Sequence, residues 1–236
     1  MAKQDRILIT GANRGLGLEF TKRWLQAGHQ IFALARQPQH AEALQALKSN
    51  CGERLWIGAC DVSDTRSVEA AAEQVAEKTS ALDLVLNNAG TYATKGGSLA
   101  ELDFQEIRTV FETNSLGPLR VSRSFLPLLR QGNHRRLVHM TSLMGSIADN
   151  GSGGSYAYRI SKAALNMANC NLAHELKPDG IPSVVLHPGW VRTDMGGPYA
   201  PLSIDEAVSG LIKVVESLQP KDSGAFFDYT GRRLPW

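Results

Sequence analysis

Cysteine is scarce in this chain, and the few present exclude more than they support. Cys51, Cys60 and Cys170 are odd in number and lack metal-ligand spacing. That argues against a disulfide scaffold or a zinc module and leaves structural thiols in a reducing cytosol, with no metal site expected. Charge of one sign is lacking too. The 25 Lys and Arg against 23 Asp and Glu leave a formal net charge of +2, with the signs interspersed. No electrostatic footprint for nucleic acid results, and Arg135-Arg136 reads as a solvated pair. No apolar stretch approaches the roughly 20 residues of a membrane span. The amino end, Met1 to Arg6, enters an apolar strand without the hydrophobic core of a signal peptide. No repeat, linker or low-complexity tract is visible. The expectation is a cytoplasmic protein with one domain over residues 1–236, its 43% hydrophobic content filling one α/β unit.

What is present is a regular alternation. Strand-like apolar runs at Ile7–Thr10, Gln30–Ala35, Leu55–Gly58, Leu82–Leu86, Arg136–Thr141, Ser183–Leu186 and Gly224–Tyr229 are separated by helical stretches. Strand-helix alternation with right-handed crossovers predicts a doubly wound parallel sheet of about seven strands flanked by helices, Rossmann-type, with ligands at its carboxyl edge.

Four motifs fall at that edge. Thr10-Gly11-Ala12-Asn13-Arg14-Gly15-Leu16-Gly17 follows the first strand and opens a helix, the arrangement that seats a dinucleotide pyrophosphate on free backbone N–H groups and the positive helix end. Its GxxxGxG spacing differs from the commoner GxGxxG. At the end of the second strand, where an acid would bind the ribose hydroxyls of NAD, stand Ala35 and then Arg36. Arg36, with Arg14 from the glycine turn, suits a 2'-phosphate, so NADP(H) is favoured over NAD(H). Either arginine taken alone is equally well a solvated surface residue. Asn87-Asn88-Ala89-Gly90 ends the fourth strand with amides that can pin a loop and small residues that let a ligand approach. Tyr158-Arg159-Ile160-Ser161-Lys162 sets a phenol and an ammonium four residues apart on one helical face, where the cation can lower the phenol pKa. That pair in isolation is compatible with plain surface.

TGANRGLG, Cys60-Asp61-Val62, NNAG, Asn114, the Ser142 closing Leu137 to Ser142, YRISK and His187-Pro188-Gly189-Trp190-Val191-Arg192-Thr193 together resemble the successive signatures of the short-chain dehydrogenase/reductase family, in the family's order and across nearly the whole chain. Tyr156-Ala157-Tyr158, Met195-Gly196-Gly197-Pro198 and the ending Asp228 to Trp236 are similar to the carbonyl-reductase-like group that includes C-factor and the sniffer proteins. The resemblance implies an oxidoreductase that reduces an aldehyde, ketone or quinone with hydride from the nicotinamide and a proton from Tyr158. It further implies that Lys162 tunes Tyr158 and binds the nicotinamide ribose, that Ser142 holds the carbonyl oxygen, and that the Asn114 backbone positions a relay water. Asp61 would touch the adenine, with Val62 beside it. Asn88, Ala89 and Gly90 would line the adenosine ribose, and Pro188, Gly189, Val191 and Thr193 would pass the carboxamide. A homodimer or homotetramer joined through helices is implied as well.

Two points stay open. Ser142 precedes Tyr158 by more residues than is usual in the family, the excess lying in Asp149 to Ser155, which reads as a flexible loop. Ser146 therefore competes with Ser142 for the carbonyl. Met144, Trp190, Met195 and Tyr199 are candidates for an apolar substrate wall or for core. Rival functions are a nucleotide-binding signalling protein with vestigial catalysis and a nucleotide-sugar epimerase or dehydratase. The short chain and Ala35-Arg36 argue against the second.

Overall fold

Strand residues in this chain are apolar on both faces, as a sheet covered by helices on two sides demands. Ile7, Leu8 and Ile9 are each at most 1% exposed. In the computed structural model, which describes residues 4–92 and 98–236, these runs form one seven-stranded parallel sheet. Met1 to Lys3, part of the amino-end reading above, lie outside the described residues. The strands are β1 (Arg6–Thr10), β2 (Gln30–Ala35), β3 (Leu55–Ala59), β4 (Leu84–Asn87), β5 (Arg136–Met140), β6 (Ser183–His187) and β7 (Phe226–Asp228). Their order is β3-β2-β1-β4-β5-β6-β7. The helices are α1 (Gly15–Gln26), α2 (Glu42–Cys51), α3 (Thr65–Ala76), α4 (Phe104–Phe111), α5 (Gly117–Arg130), α6 (Tyr156–Glu175) and α7 (Ile204–Ser217).

The pleat divides the core. Successive strand side chains point to opposite faces, so Ile7 and Ile9 pack with Phe20 and Trp24 of α1 and Val208 and Leu211 of α7. Leu8, between them, joins Val68 and Val75 of α3 and Val121 and Phe125 of α5 on the other face. All seven predicted strands are present, with ends shifted by a residue or two. Strand order reverses between β1 and β4, and in open α/β sheets ligands sit in the crevice at that reversal, outside the carboxyl ends. Among the described residues no helix is long and apolar enough to cross a membrane, and no cluster of His, Cys, Asp and Glu could hold a metal ion.

At the opposite, amino-terminal edge, Asp83 ties three strands together. Its carboxylate pairs with Arg6 Nε at 2.8 Å and accepts from the backbone N–H groups of Arg6 at 2.9 Å, Asn133 at 2.7 Å and His134 at 3.3 Å. Burial pushes this carboxyl up, but the Arg6 and backbone donors outweigh it and hold the group at about 2, below its ordinary 3.8. A depressed carboxyl pKa contributes stability above the unfolded value and loses it as pH falls toward the folded one. Asp83→Ala leaves the donors unpaired. It should cost about 3 kcal/mol and lower Tm by about 6–12 °C at pH 7. The loss should shrink as pH falls from 4 toward 2; a Tm penalty that does not change over that range would refute the assignment.

Candidate active site

The glycine turn between β1 and α1 packs directly on the segment after β4. Gly11 has φ +64°, and a Cβ there would lie 2.9 Å from the Ala89 Cα. A Cβ on Gly17 would fall 2.2 Å from the Gly11 carbonyl oxygen and 2.6 Å from Asn88 Nδ2. The same Asn88 amide donates to Thr10 O at 2.9 Å and Gly11 O at 3.1 Å, while the Thr10 hydroxyl accepts from the Asn88 and Ala89 N–H groups. Asn88 thus braces the turn from behind. Helix α1 begins after Arg14 with no side-chain cap and no acid in its first turn, so its leading N–H groups face outward as an anion seat. Leu16 packs on the core and Asn13 is half-buried in the turn.

Around this seat, Arg36 stands exposed just beyond the buried Ala35, with no hydrogen bond or ion pair to the described residues. Arg14, expected to join it, instead pairs with Asp194 at 2.9 Å, both side chains being largely exposed. This contact bridges the glycine turn to the segment after β6. Thr193 lies against the turn as well, its Cγ2 3.8 Å from where a Gly15 Cβ would be. Asp61 accepts from the Ser63 N–H at 2.9 Å and hydroxyl at 2.6 Å, and Val62 is buried against Gly117. Pro188 and Gly189 leave β6 at the same edge, followed by the buried Val191.

Helix α6 carries Tyr158 and Lys162 inward, 8% and 4% exposed, whereas Tyr156 turns outward at 36%. The ammonium lies 5.7 Å from the Tyr158 ring centroid and donates to Met140 O at 2.8 Å. The Ser142 hydroxyl lies near enough to Tyr158 to favour its phenolate and accepts from the Met144 N–H at 3.1 Å. Ser146 is engaged elsewhere: it donates to Trp236 O at 3.0 Å and accepts from the Asp149 N–H. A methyl on Gly90 would lie 3.7 Å from Lys162 Nζ, so the turn after β4 and the catalytic-type helix face each other across a narrow space.

Two expectations need correction. Tyr158 is not lowered toward neutrality: burial pushes it up to about 12, the Ser142 bond opposing this and the neighbouring Tyr92 adding to it. Burial also pushes the Lys162 ammonium, which donates to Met140 O, down to about 8. Asn114 sits in a π-turn, Glu112–Leu116, between α4 and α5; such turns recur at functional sites. Its side chain, fully buried, accepts from Thr91 N at 2.8 Å and donates to Thr91 O at 2.8 Å and Ser161 Oγ at 3.1 Å. The glycine-rich segment before α6 is cross-linked rather than loose, since Arg159 donates to Gly153 O, Ser152 Oγ and Met144 O.

Of the candidate apolar wall, Met144 is half-buried, while Trp190, Met195 and Tyr199 are 59%, 49% and 89% exposed, so Tyr199 stands in solvent. The sequence reading missed Tyr92, whose ring packs 4.8 Å from Tyr158. Its place two residues after Gly90, at the end of a ligand-facing strand, was the available signal. It also missed His139, a buried imidazole between Asn87 at 3.1 Å and Ser183 at 3.4 Å; burial, then the Lys162 charge, pushes it down to about 3 and keeps it neutral.

A family model described as short chain dehydrogenase matches residues 5–201. The chain is 49% identical to C-signal of Myxococcus xanthus over 158 residues, 67% of this chain and 95% of that one. Among solved structures it is similar to the carbonyl reductase Sniffer of D. melanogaster, at TM-score 0.94 and 33% identity, covering 99% of this chain and 100% of that one. It is similar also to an NADPH-bound carbonyl reductase from chicken fatty liver, at TM-score 0.93 and 37% identity with the same coverage.

Proposed function

The chain belongs to the short-chain dehydrogenase family, and from that premise we propose that it is an NADP(H)-dependent reductase of aldehydes, ketones or quinones. The observation that carries this reading is that the Tyr158 ring, Ser142 and the Lys162 ammonium come together beside the turn after β4, which packs on the glycine turn.

The residues present fit a dinucleotide. A Cβ would fill the cradle at Gly11 and Gly17, the start of α1 is uncapped and free of acids, and Arg36 is a cation at the end of β2 with no partner among the described residues. Gly11, Asn13, Gly15, Leu16 and Gly17 would hold the pyrophosphate, with Arg36, and Arg14 once released from Asp194, on the 2'-phosphate. Asp61 and Val62 would meet the adenine; Asn88, Ala89 and Gly90 the adenosine ribose; Pro188, Gly189, Val191 and Thr193 the carboxamide. Bound NADPH supplies a hydride for the carbonyl carbon. Ser142 and Tyr158 donate hydrogen bonds to the carbonyl oxygen, and the developing alkoxide takes the Tyr158 proton. A phenol held well above neutral pH stays protonated and ready to give that proton. Lys162, still cationic at pH 7, stabilises the phenolate left behind and binds the nicotinamide ribose, while Asn114 holds the wall beside it.

The test is titration with NADPH and NADH by fluorescence, followed by NADPH oxidation against a carbonyl panel. Tight binding with turnover supports the reading. A second reading, a nucleotide-binding signalling protein, draws on the identity to C-signal; it predicts tight binding and no turnover. Arg36→Asp replaces this cation with an anion. It should weaken NADPH by about ten- to a hundredfold, the worth of lost charge-assisted hydrogen bonds, and leave NADH within a few-fold. Equal losses for both cofactors would remove Arg36 from 2'-phosphate recognition.

A further inference from the structure

Tyr92 is held at both ends. Its backbone follows Thr91, whose N–H and C=O are both bound by the Asn114 amide at 2.8 Å. Its hydroxyl meets Ser155 Oγ at 2.8 Å. Ser155 is the N-cap of α6, at φ +44°, and makes no side-chain cap bond of its own to that helix. Between these anchors the ring lies 4.8 Å from the Tyr158 ring, tilted by 51°, a geometry aromatic pairs favour. Yet Tyr92 remains 39% exposed where Tyr158 is 8% exposed. Part of the ring is therefore spent on Tyr158, and part of the residue remains uncovered beside it.

We propose that Tyr92 is a specificity-determining wall of the reaction cleft, selecting carbonyls attached directly to a flat, unsaturated group over saturated ones of the same size. The proposal rests on the reading of Tyr158 as proton donor. A group bonded to the carbonyl carbon must pass close to whatever flanks Tyr158, and on the β4 side that is the Tyr92 ring. A planar substituent meets a fixed ring over many atoms at van der Waals separation, whereas a puckered one touches it at a few. The backbone anchor matters most, because a ring already immobilised loses little freedom when a substrate settles on it and this anchor remains when the hydroxyl is removed. Met144, half-buried, has no such restraint on its side chain among the described residues, and Trp190, whose Nε1 donates to Gly196 O at 2.8 Å, is anchored too but stacks on no ring of the site there.

The test compares benzaldehyde with cyclohexanecarbaldehyde in the full chain and in Tyr92→Phe and Tyr92→Leu. The ratio of kcat/KM values cancels intrinsic reactivity when the variants are compared. In Tyr92→Leu the ratio should fall by about 2- to 10-fold, the worth of one aromatic contact; Tyr92→Phe should keep most of the preference. Binding of benzoate against cyclohexanecarboxylate to the NADP-saturated protein, read by saturation-transfer NMR, reports the same selection without chemistry. Turnover with an unmoved ratio in Tyr92→Leu overturns the wall and leaves the reductase standing. A benzoate preference lost in Tyr92→Leu, with neither aldehyde reduced, supports the wall and overturns the reductase reading. A Phe variant as impaired as Leu in both readouts overturns the proposal, because the ring would then not be the selecting element.

Discussion

Tyr158→Phe should lower kcat/KM for carbonyl reduction by about 10²- to 10⁴-fold, the range for a lost general acid, with NADPH affinity unchanged within a few-fold. The substitution keeps the ring in its place between Tyr92 and the Lys162 ammonium and removes only the hydroxyl that meets Ser142. Its selectivity for chemistry over binding follows from position: the glycine turn and Arg36 lie on other elements and do not touch the phenol oxygen. Near-wild-type turnover would take Tyr158 out of the reaction. A large fall in NADPH affinity instead would mean that the phenol serves mainly to build the cofactor seat.

Gly17→Ala should raise the NADPH dissociation constant by about tenfold or more and lower Tm by about 2–12 °C, from an overpacking cost of about 1–3 kcal/mol. The added Cβ would lie 2.2 Å from the Gly11 carbonyl oxygen, an atom that cannot swing away as the end of a flexible side chain would. It would also press on Asn88 Nδ2 at 2.6 Å, and that amide holds both Thr10 O and Gly11 O. The turn must open and its brace must break together, which spoils the N–H array as well as the packing. Gly151→Ala is the control, since a Cβ there meets nothing within 4 Å. Calorimetry or fluorescence titration decides the first effect and a thermal melt the second. Undiminished NADPH binding by Gly17→Ala would mean that this turn is not where the dinucleotide sits.

Much of the fold was legible because its information is local. Seven apolar runs with helical stretches between them encode strand and helix through periodicity, and their alternation leaves few topologies open. The Tyr158–Lys162 spacing likewise puts both side chains inward on one turn of α6, and the outward Tyr156 follows from the same helical pitch. The glycine turn was readable because only residues without a Cβ permit its contacts with Ala89 and Asn88.

Other features depended on partners distant in the chain. Ser142 and Ser146 could not be separated by spacing; Trp236, 90 residues beyond Ser146, occupies the latter's hydroxyl. Arg14 is paired with Asp194, 180 residues away, a contact that sequence pattern does not encode. The sequence by itself determined the sheet, the dinucleotide-type turn and the phenol–ammonium pair, because each rests on steric rules acting over a few residues. Only the tertiary structure decided the charge behaviour of that pair and the identity of its neighbour Tyr92. Desolvation depends on how completely packed elements exclude water, and here it raises the phenol and lowers the ammonium.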